Sequence, residues 1–501
     1  MTNKTDEKQT KLNNLLWSAA DAARSHVDAS VFKDYILVLL FLKYLSELSK
    51  KEAAALRERY GADEAALERR LKAGRFYLPK GSSFDELYEQ RMQDDFGVLI
   101  NQALHKIEDE NKSKLENIFQ SVDFNSEAVL GKKNKRNPML IGLFEVFRSA
   151  DLDIADQDVV GNAYMYLIER FGSDAGKKAG EFFTPAVVSG LLAKLGGAKD
   201  GYKILDPACG SGGLLLLAGH EVASGNYALF GQESVGTTYN MARMNMFLHG
   251  KDSAEIEWGD SLRDPAFVEA DHLKQFDLVL ANPPFSLDNW GFDDLQSDKY
   301  ARFTRGMPPK SKGDYAFISH MIASAKEFTG RVAVIVPHGV LFRGSSEGRI
   351  RQALIKENLL DAVIGLPKGL FQTTDIPVAI LIFDKSRQEG GQNQERKDIV
   401  FIDASNEFIS GKKQNTLSDE HIEKILTTYR ERKEIEKYSH VATPQEIAEN
   451  DYNLNIPRYV DTFEEEAEID LPAVKSEIQK IETELATVQN QMDAYLKELG
   501  L

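Results

Sequence analysis

The sequence predicts an α/β fold: a mostly parallel sheet preceded by an N-terminal helical domain and followed by a C-terminal coiled-coil helix. Three observations predict it. In the middle of the chain, apolar segments of strand length alternate with segments of helix length, the pattern of a parallel sheet covered by helices. Before this region apolar residues recur at helical spacing, and after it they recur as heptads. The length of 501 residues also indicates two or three domains.

The N-terminal helical domain is predicted over residues 1–150. The apolar run Tyr35–Leu42 shows helical periodicity. It is too short to span a bilayer, so we expect a buried helix. A second segment, residues 52–71, is rich in the helix formers Ala, Glu and Arg.

A catalytic α/β domain is predicted over residues 151–440. In its second half we predict a helix over 315–328, a strand over 331–337, a helix over 346–358 and strands over 360–366 and 377–383. The last two strands are joined by a short loop, so we expect them to form an antiparallel edge of the sheet.

The tail is predicted to contain a linker over residues 441–470, acidic from 461 onward, and a coiled-coil helix over 471–501. Apolar residues in this helix recur at alternating spacings of four and three: Val474, Ile478, Ile481, Leu485, Val488, Met492, Tyr495 and Leu499. A surface helix packed on its own domain usually shows a wider apolar stripe. The narrow seam therefore favours a coiled coil with another helix. An intrachain helical hairpin is the alternative.

A cofactor-binding turn is predicted where the strand Ile204–Asp206 ends. The chain continues Asp206-Pro207-Ala208-Cys209-Gly210-Ser211-Gly212-Gly213 into an apolar helix. Glycines let the backbone approach a ligand closely, and open α/β sheets bind ligands at the carboxyl ends of their strands. The spacing does not fit the G-x-G-x-x-G turn of dinucleotide-binding proteins. The acid that opens the turn, Asp206, suits a ligand that carries a cationic sulfonium and an amino group.

Two further strands end in acids. Glu233 follows the turn by about 20 residues, the placement expected of a carboxylate that binds ribose hydroxyls. Asp260 ends the next strand and suits the amino group of an adenine. Alone, either residue would be interpreted as a solvated strand end, but the ordered set predicts a nucleoside-containing cofactor.

The strand ending at Ala281 is followed by Asn282-Pro283-Pro284-Phe285. The Asn side-chain carbonyl and the next backbone carbonyl can both accept hydrogen bonds from one exocyclic amino group. The two prolines hold these carbonyls rigidly, because proline fixes φ. The aromatic ring offers a face on which a flipped base can stack, although packing in the core is the alternative for Phe285. The motif thus indicates methylation of a planar amino group.

Together these motifs resemble those of S-adenosylmethionine-dependent amino-methyltransferases that act on DNA. Gly180–Pro185 resembles the additional cofactor motif that precedes the Gly-rich turn in one ordering of that superfamily. The combination resembles the methylation (M) subunit of type I restriction-modification systems, a family of DNA adenine-N6 methyltransferases. With Phe32–Leu37 and Tyr452–Tyr459, the resemblance covers nearly the whole chain. It implies a Rossmann-like S-adenosylmethionine-dependent methyltransferase sheet.

The resemblance also implies roles for residues. The expected cofactor-binding residues are Glu181, Phe182, Phe183, Thr184, Pro185, Asp206, Pro207, Ala208, Gly210, Ser211, Gly212, Gly213, Glu233, Asp260 and Leu262, the last packing on the adenine ring. The expected catalytic residues are Asn282, Pro283, Pro284 and Phe285. Target adenine would flip from the duplex and stack on Phe285, while Asn282 and the Pro283 carbonyl orient its N6.

The net charge of -17 argues against a chain that binds DNA strongly by itself, because phosphate contacts require Lys and Arg. A basic cluster after the catalytic motif is expected to contact the strand that bears the flipped base, with a solvated loop as the alternative; it comprises Arg302, Arg305, Lys310 and Lys312. Target recognition is therefore expected to be delegated to a partner. The resemblance implies the partners: double-stranded DNA, a specificity subunit docked on the C-terminal helix, a second copy of this chain and a restriction subunit. The helical domain would close on DNA or dock a partner, with a purely structural bundle as the alternative.

Several classes are disfavoured. A polar N-terminus without a signal-peptide pattern and a single cysteine indicate the cytoplasm. Cys209 lies inside the turn and is a poor nucleophile for carbon-5 cytosine methylation. The sequence contains no G-x-x-x-x-G-K-[ST] motif and no metal-ligand cluster. N4-cytosine methylation, methylation of a protein glutamine amide and a non-enzymatic scaffold remain alternatives.

Overall fold

The computed structural model describes residues 2–23, 29–61, 63–150, 152, 157–174, 184–371, 376–412, 414–462 and 471–499. The chain divides into two compact units, Met1–Val460 and Asp461–Leu501. Among the helices of the described residues, none is long and apolar enough to cross a membrane.

The first unit begins with a series of helices, most of which share one apolar core. Their bounds are α1 Thr2–Ala23, α2 Ala29–Tyr60, α3 Glu64–Lys72, α4 Phe84–Glu89, α5 Phe96–Glu110, α6 Lys112–Leu115, α7 Glu127–Leu130, α8 Lys133–Ser149 and α9 Gln157–Asp174. The apolar run Tyr35–Leu42 lies in α2 and is buried on every side, so no polar face interrupts it. Lys43 is buried beside it, and its ammonium pairs with Glu47 at 2.6 Å. The predicted N-terminal helical region is confirmed.

The rest of the first unit is built around a sheet. The strands are β1 Tyr202–Asp206, β2 Tyr227–Glu233, β3 Glu255–Trp258, β4 Val268–Glu269, β5 His272–Leu273, β6 Leu278–Ala281, β7 Arg331–Pro337, β8 Leu360–Gly365, β9 Val378–Asp384, β10 Ile399–Asp403 and β11 Ser439–Ala442. The helices are α10 Ala186–Gly196, α11 Gly213–His220, α12 Gly236–Leu248, α13 Asp314–Ser324, α14 Gly339–Phe342, α15 Ser345–Lys356, α16 Asp419–Glu431 and α17 Pro444–Glu449.

Within the described residues, nine strands form one sheet in the order β11-β10-β8-β9-β7-β6-β1-β2-β3, and β4 pairs with β5 separately. Strands β3, β2, β1, β6 and β7 are parallel neighbours, so their carboxyl ends lie along one edge. Apolar side chains of α10, α11 and α16 cover one face of the sheet, and those of α13, α15 and α17 cover the other. The predicted α/β architecture with a Rossmann-like sheet is confirmed.

The antiparallel strands differ from the prediction in their position. Strands β8 and β9 are antiparallel, as expected, but β9 lies between β8 and β7 in the interior of the sheet. The outermost strand on this side is β11, which runs antiparallel to β10. All seven residues of β9 are buried, as in strands covered on both faces. The predicted edge is therefore wrong, because two further strands, β10 and β11, follow this pair and extend the sheet beyond β8.

The segment before Val460 also differs from the predicted linker over 441–470. Residues 439–460 contain β11, α17 and a 3₁₀ turn, Ile456–Arg458. Apolar side chains of this segment are buried in the core on one sheet face, and the ring of Tyr459 stacks on Phe401 at 3.8 Å between centroids. The chain leaves the first unit only after Val460.

The second unit contains one described helix, α18, over Leu471–Glu498. Its predicted seam residues are all exposed in this chain, from 42% for Val474 to 74% for Leu499. A C-terminal helix with an uncovered apolar seam is thus present where the heptads predicted one.

Candidate active site

The four strand ends singled out in the sequence meet at one cavity. Strands β1, β2, β3 and β6 are neighbours with parallel direction, so the groups that follow them share one edge of the sheet. Asp206, Glu233, Asp260 and Asn282 all line a cavity of about 260 Å³. Open α/β sheets bind ligands at this edge.

The turn between β1 and α11 requires glycine at two positions. Gly210 and Gly212 have φ values of 54° and 77°, which L residues rarely adopt. A Cβ on Gly212 would lie 2.5 Å from the Met246 methyl carbon, and one on Gly213 would lie 2.6 Å from that of Met165. The turn is therefore packed closely against both methionines, and Gly210, Ser211 and Gly213 line the cavity.

Asn245 supports this turn from α12. It is fully buried, and its Nδ2 donates to the Ser211 carbonyl oxygen at 2.8 Å and contacts the Met165 sulfur at 2.9 Å. Met165 belongs to α9 and also lines the cavity. The helical core therefore contributes directly to the site, a contact that no sequence motif indicated.

Two buried carboxyl groups lie on the cavity wall. Asp206 accepts a hydrogen bond from the Ala208 N–H at 2.9 Å, and burial, with the nearby Glu233 carboxylate, raises its pKa to about 8. Glu233 accepts from the N–H groups of Gly210 at 3.0 Å and Val235 at 2.8 Å, and burial raises its pKa too. Glu233 thus holds the turn in place. Among the described residues, no cationic side chain lies close enough to lower the pKa of either carboxyl group. A cationic ligand would stabilise their charged forms, so the pair favours such a ligand.

Asp260 lines the cavity and closes its own turn. One of its oxygens accepts from the N–H groups of Leu262 and Arg263, and the other pairs with the Arg263 guanidinium at 3.0 Å. Next to it, the Ser261 hydroxyl donates to the Pro207 carbonyl oxygen at 2.5 Å and joins this turn to the Gly-rich turn.

Leu262 does not occupy the predicted position. It is 1% exposed and packs in a separate apolar cluster with Trp290 and Phe317. Ser261 and Phe317 line the cavity, whereas Leu262 lies behind them. The expectation that Leu262 packs on an adenine ring is wrong, because its side chain points into the protein core.

Asn282 presents one oriented amide to the cavity. Its Nδ2 donates to the Thr184 hydroxyl oxygen at 2.8 Å. Its Oδ1 is buried and has no hydrogen-bond partner among the described residues. A buried acceptor without a partner costs free energy, so it indicates a missing donor. Thr184 and Pro185 precede α10; Glu181, Phe182 and Phe183 lie outside the described residues.

The rest of the motif forms one wall. Pro283 is buried, Pro284 lines the cavity and Phe285 is half-buried. The ring of Phe285 meets Phe371 edge-on, with centroids 6.1 Å apart and planes at 72°. Phe371 comes from the loop after β8, and nothing in the sequence linked it to the motif.

Arg302 was expected to contact DNA, but it is 1% exposed. Its guanidinium pairs with Asp298 at 2.7 Å and contacts the Ser261 carbonyl oxygen at 3.4 Å and the His320 ring at 3.2 Å. The prediction for Arg302 is wrong, because the side chain is buried and holds the turn beside the cavity.

The other three residues of the basic cluster remain on the surface to different degrees. Arg305 binds both oxygens of Glu357 at 2.6 to 2.9 Å. Lys310 is 65% exposed and pairs with Asp293 at 2.5 Å. Lys312 is partly exposed. A DNA contact by these three stays a prediction.

Comparison with known proteins identifies relatives along the whole chain. The N-6 DNA methylase family model matches residues 155–468, and the HsdM N-terminal domain model matches residues 12–147. The type I restriction enzyme MpnII methylase subunit of Mycoplasma pneumoniae is 32% identical over 96% of this chain and 95% of that protein. The MjaVIII methylase subunit of Methanocaldococcus jannaschii is 34% identical over 98% of this chain and 85% of that protein.

A solved structure is similar as well. The type I restriction-modification methyltransferase subunit from Streptococcus thermophilus superposes with a TM-score of 0.79 at 35% identity, covering 90% of this chain and 100% of that one.

Proposed function

Because the chain belongs to the N-6 DNA methylase family, we propose that its cavity holds S-adenosylmethionine and that Asn282 orients adenine N6 for methyl transfer. The chain is the methylation subunit of a type I restriction-modification system and an adenine-specific DNA methyltransferase. N4-cytosine methylation and methylation of a glutamine amide are not supported by these relatives.

The residues around the cavity fit this cofactor. Asp206 supplies negative charge for its sulfonium and amino groups, and Glu233 offers a carboxylate to its ribose hydroxyls. Gly210 and Gly213 leave the turn without side chains along the cavity. Asp260 and Ser261 offer polar atoms for the adenine end. When bound, S-adenosylmethionine supplies an electrophilic methyl group on its sulfonium sulfur.

Asn282 carries the proposal for catalysis. The NH2 group of Asn282 donates to the Thr184 hydroxyl oxygen, which fixes the side-chain amide. The Oδ1 atom of Asn282 therefore remains available to accept a hydrogen bond. An adenine N6–H would donate to it, and a second N6–H would donate to the Pro283 carbonyl oxygen. These two bonds would draw the nitrogen lone pair out of conjugation. Phe285 would stack on the flipped base, with Phe371 supporting its ring.

No strong base is required in this scheme. The attacking nitrogen becomes acidic only as its new bond forms, and its proton then leaves through the two carbonyl acceptors to water. Positioning and fixed dipoles supply most of the rate gain.

Further subunits complete the proposed function. Type I methylase subunits act in complexes with a specificity subunit and DNA, and we assign the exposed seam of α18 to docking on helices of the specificity subunit. A second copy of this chain and a separate restriction subunit are the other proposed partners. The N-terminal helices, predicted over 1–150, would close on DNA or dock a partner.

The test is a methyl-transfer assay on the complex isolated from its native host. Labelled S-adenosylmethionine and unmodified DNA are supplied, and the DNA is digested to nucleosides. Label in N6-methyl-deoxyadenosine supports the proposal. Label in N4-methyl-deoxycytidine, or in protein instead of DNA, contradicts it.

A further inference from the structure

The turn after the catalytic motif has an unusual backbone. Ser286, next to Phe285, has a φ of 52°, in the left-handed region that residues other than glycine rarely adopt. Such a conformation persists only where surrounding contacts hold it. Those contacts determine where the Phe285 ring and the motif before it lie.

Two hydrogen bonds join this turn to the start of α13. The Ser286 N–H donates to Asp314 Oδ1 at 2.8 Å. The Gly313 N–H donates to the Leu287 carbonyl oxygen at 2.9 Å. Leu287 lines the cavity, and so does Phe317, one turn further along α13. The start of α13 therefore joins the catalytic turn to the cavity wall.

The Asp314 carboxylate is buried and held from its other side. Asp314 is 3% exposed, and its Oδ2 pairs with the Arg343 guanidinium. Arg343 also pairs with Glu347 at 2.9 Å, and its carbonyl oxygen accepts from Arg351 at 2.9 Å. Asp314 is the first residue of α13, yet its carboxylate binds Ser286 and Arg343 rather than capping its own helix.

We propose that Asp314, held by Arg343, is a positioning residue for methyl transfer: it fixes the turn at Ser286 so that Asn282 and Phe285 stay in register with the target adenine. It does not touch substrate itself. The inference rests on the proposed roles of Asn282 and Phe285. It gives the Asp314–Arg343 ion pair a role in methyl transfer as well as in stability.

The experiment compares three variants in the purified complex: Asp314→Ala, Asp314→Asn and Glu347→Gln. Each is assayed for kcat on DNA, for the Kd of S-adenosylmethionine and for thermal unfolding. Glu347→Gln is the matched control, because Glu347 also pairs with Arg343 but lies in α15 and makes no hydrogen bond to the described residues of the turn.

Displacement of reacting groups by about 1 Å can cost on the order of 100-fold in rate, so Asp314→Ala should lower kcat by about that factor with cofactor Kd within about twofold. Asp314→Asn keeps an oxygen for Ser286 but loses the charge that holds it, so kcat should fall about tenfold. Glu347→Gln should lower the unfolding temperature and keep kcat within about threefold.

Equal kcat in Asp314→Asn and Glu347→Gln would overturn the inference, as would Asp314→Ala with near wild-type kcat. If Asp314→Ala does not fold, the comparison of the other two variants decides. A wild-type complex that transfers no methyl group to DNA would instead overturn the proposed function, and the inference with it.

Discussion

The Thr184 hydroxyl oxygen accepts a hydrogen bond from Asn282 Nδ2 at 2.8 Å. This contact orients an otherwise mobile amide, so that its Oδ1 stays buried and free to accept. Thr184 precedes α10, whereas Asn282 follows β6. The segment before the Gly-rich turn thus acts on the catalytic motif as well as on the cofactor cavity.

Thr184→Val should lower kcat by about tenfold, since loss of one hydrogen bond to a polar group costs about 1 kcal/mol and frees the amide to rotate. Thr184→Ser keeps the hydroxyl and should retain most of the activity. Steady-state methyl transfer on DNA measures both variants. Equal kcat for the two would show that Thr184 does not orient Asn282.

Gly212→Ala should abolish cofactor binding and destabilise the fold. The backbone at this position has a φ of 77°, and a Cβ would meet the Met246 methyl carbon at 2.5 Å. Left-handed backbone alone costs an L residue roughly 1–2 kcal/mol. The control is Gly190→Ala in α10, where a Cβ meets nothing within 4 Å. It should stabilise the helix by about 0.5–1 kcal/mol. Calorimetric titration with S-adenosylmethionine and thermal unfolding distinguish the two.

Asp206 should make stability depend on pH. Its folded-state pKa is raised from 3.8 to about 8, so the folded chain holds this proton more tightly than the unfolded chain. The stabilising contribution is complete below the unfolded pKa and is lost as pH rises toward about 8. Asp206→Asn has no proton to lose at this position. The unfolding temperature of the variant should therefore rise relative to that of wild type as pH increases from 5 to 8. A constant difference across that range would contradict the shift.

The same carboxyl should release a proton when the cofactor binds, because a cationic ligand favours the charged form. Titration calorimetry at pH 7 in two buffers of different ionisation enthalpy measures the release. Wild type should release a proton and Asp206→Asn should not. Identical binding enthalpies in both buffers for wild type would rule this out.

Substitutions that introduce charge into the seam of α18 should prevent this chain from binding its specificity subunit. Ile481 and Leu485 are 58% and 55% exposed, and Asp at both positions should abolish co-purification, because a coiled-coil seam excludes charge. Thr483→Ala changes an exposed position on the face opposite the seam and should have no effect. S-adenosylmethionine binding should stay intact in both variants. Normal assembly of the Asp variant would remove the docking role from this seam.

The strand ends could be predicted from the sequence because each motif is local: Asp206 to Gly213 and Asn282 to Phe285 carry their own turn chemistry. Residues brought in by tertiary structure could not. Phe371 and Met165 reach the site from a distant loop and from the helical core. Arg302 and Leu262 were assigned by their proximity to motifs in the sequence, but burial directs their side chains inward. The position of β9 depends on which strands pair: β10 carries the apolar run Ile399–Ile402 of a strand, but no local pattern shows that it pairs with β8 on the side away from β9.

The central claim is that the free Oδ1 of Asn282 orients adenine N6. It is tested by comparing wild type with Asn282→Ala in the complex from the native host, with labelled S-adenosylmethionine and unmodified DNA. We expect label in N6-methyl-deoxyadenosine for wild type and none for the variant, with cofactor Kd unchanged. Near wild-type transfer by Asn282→Ala would contradict the account.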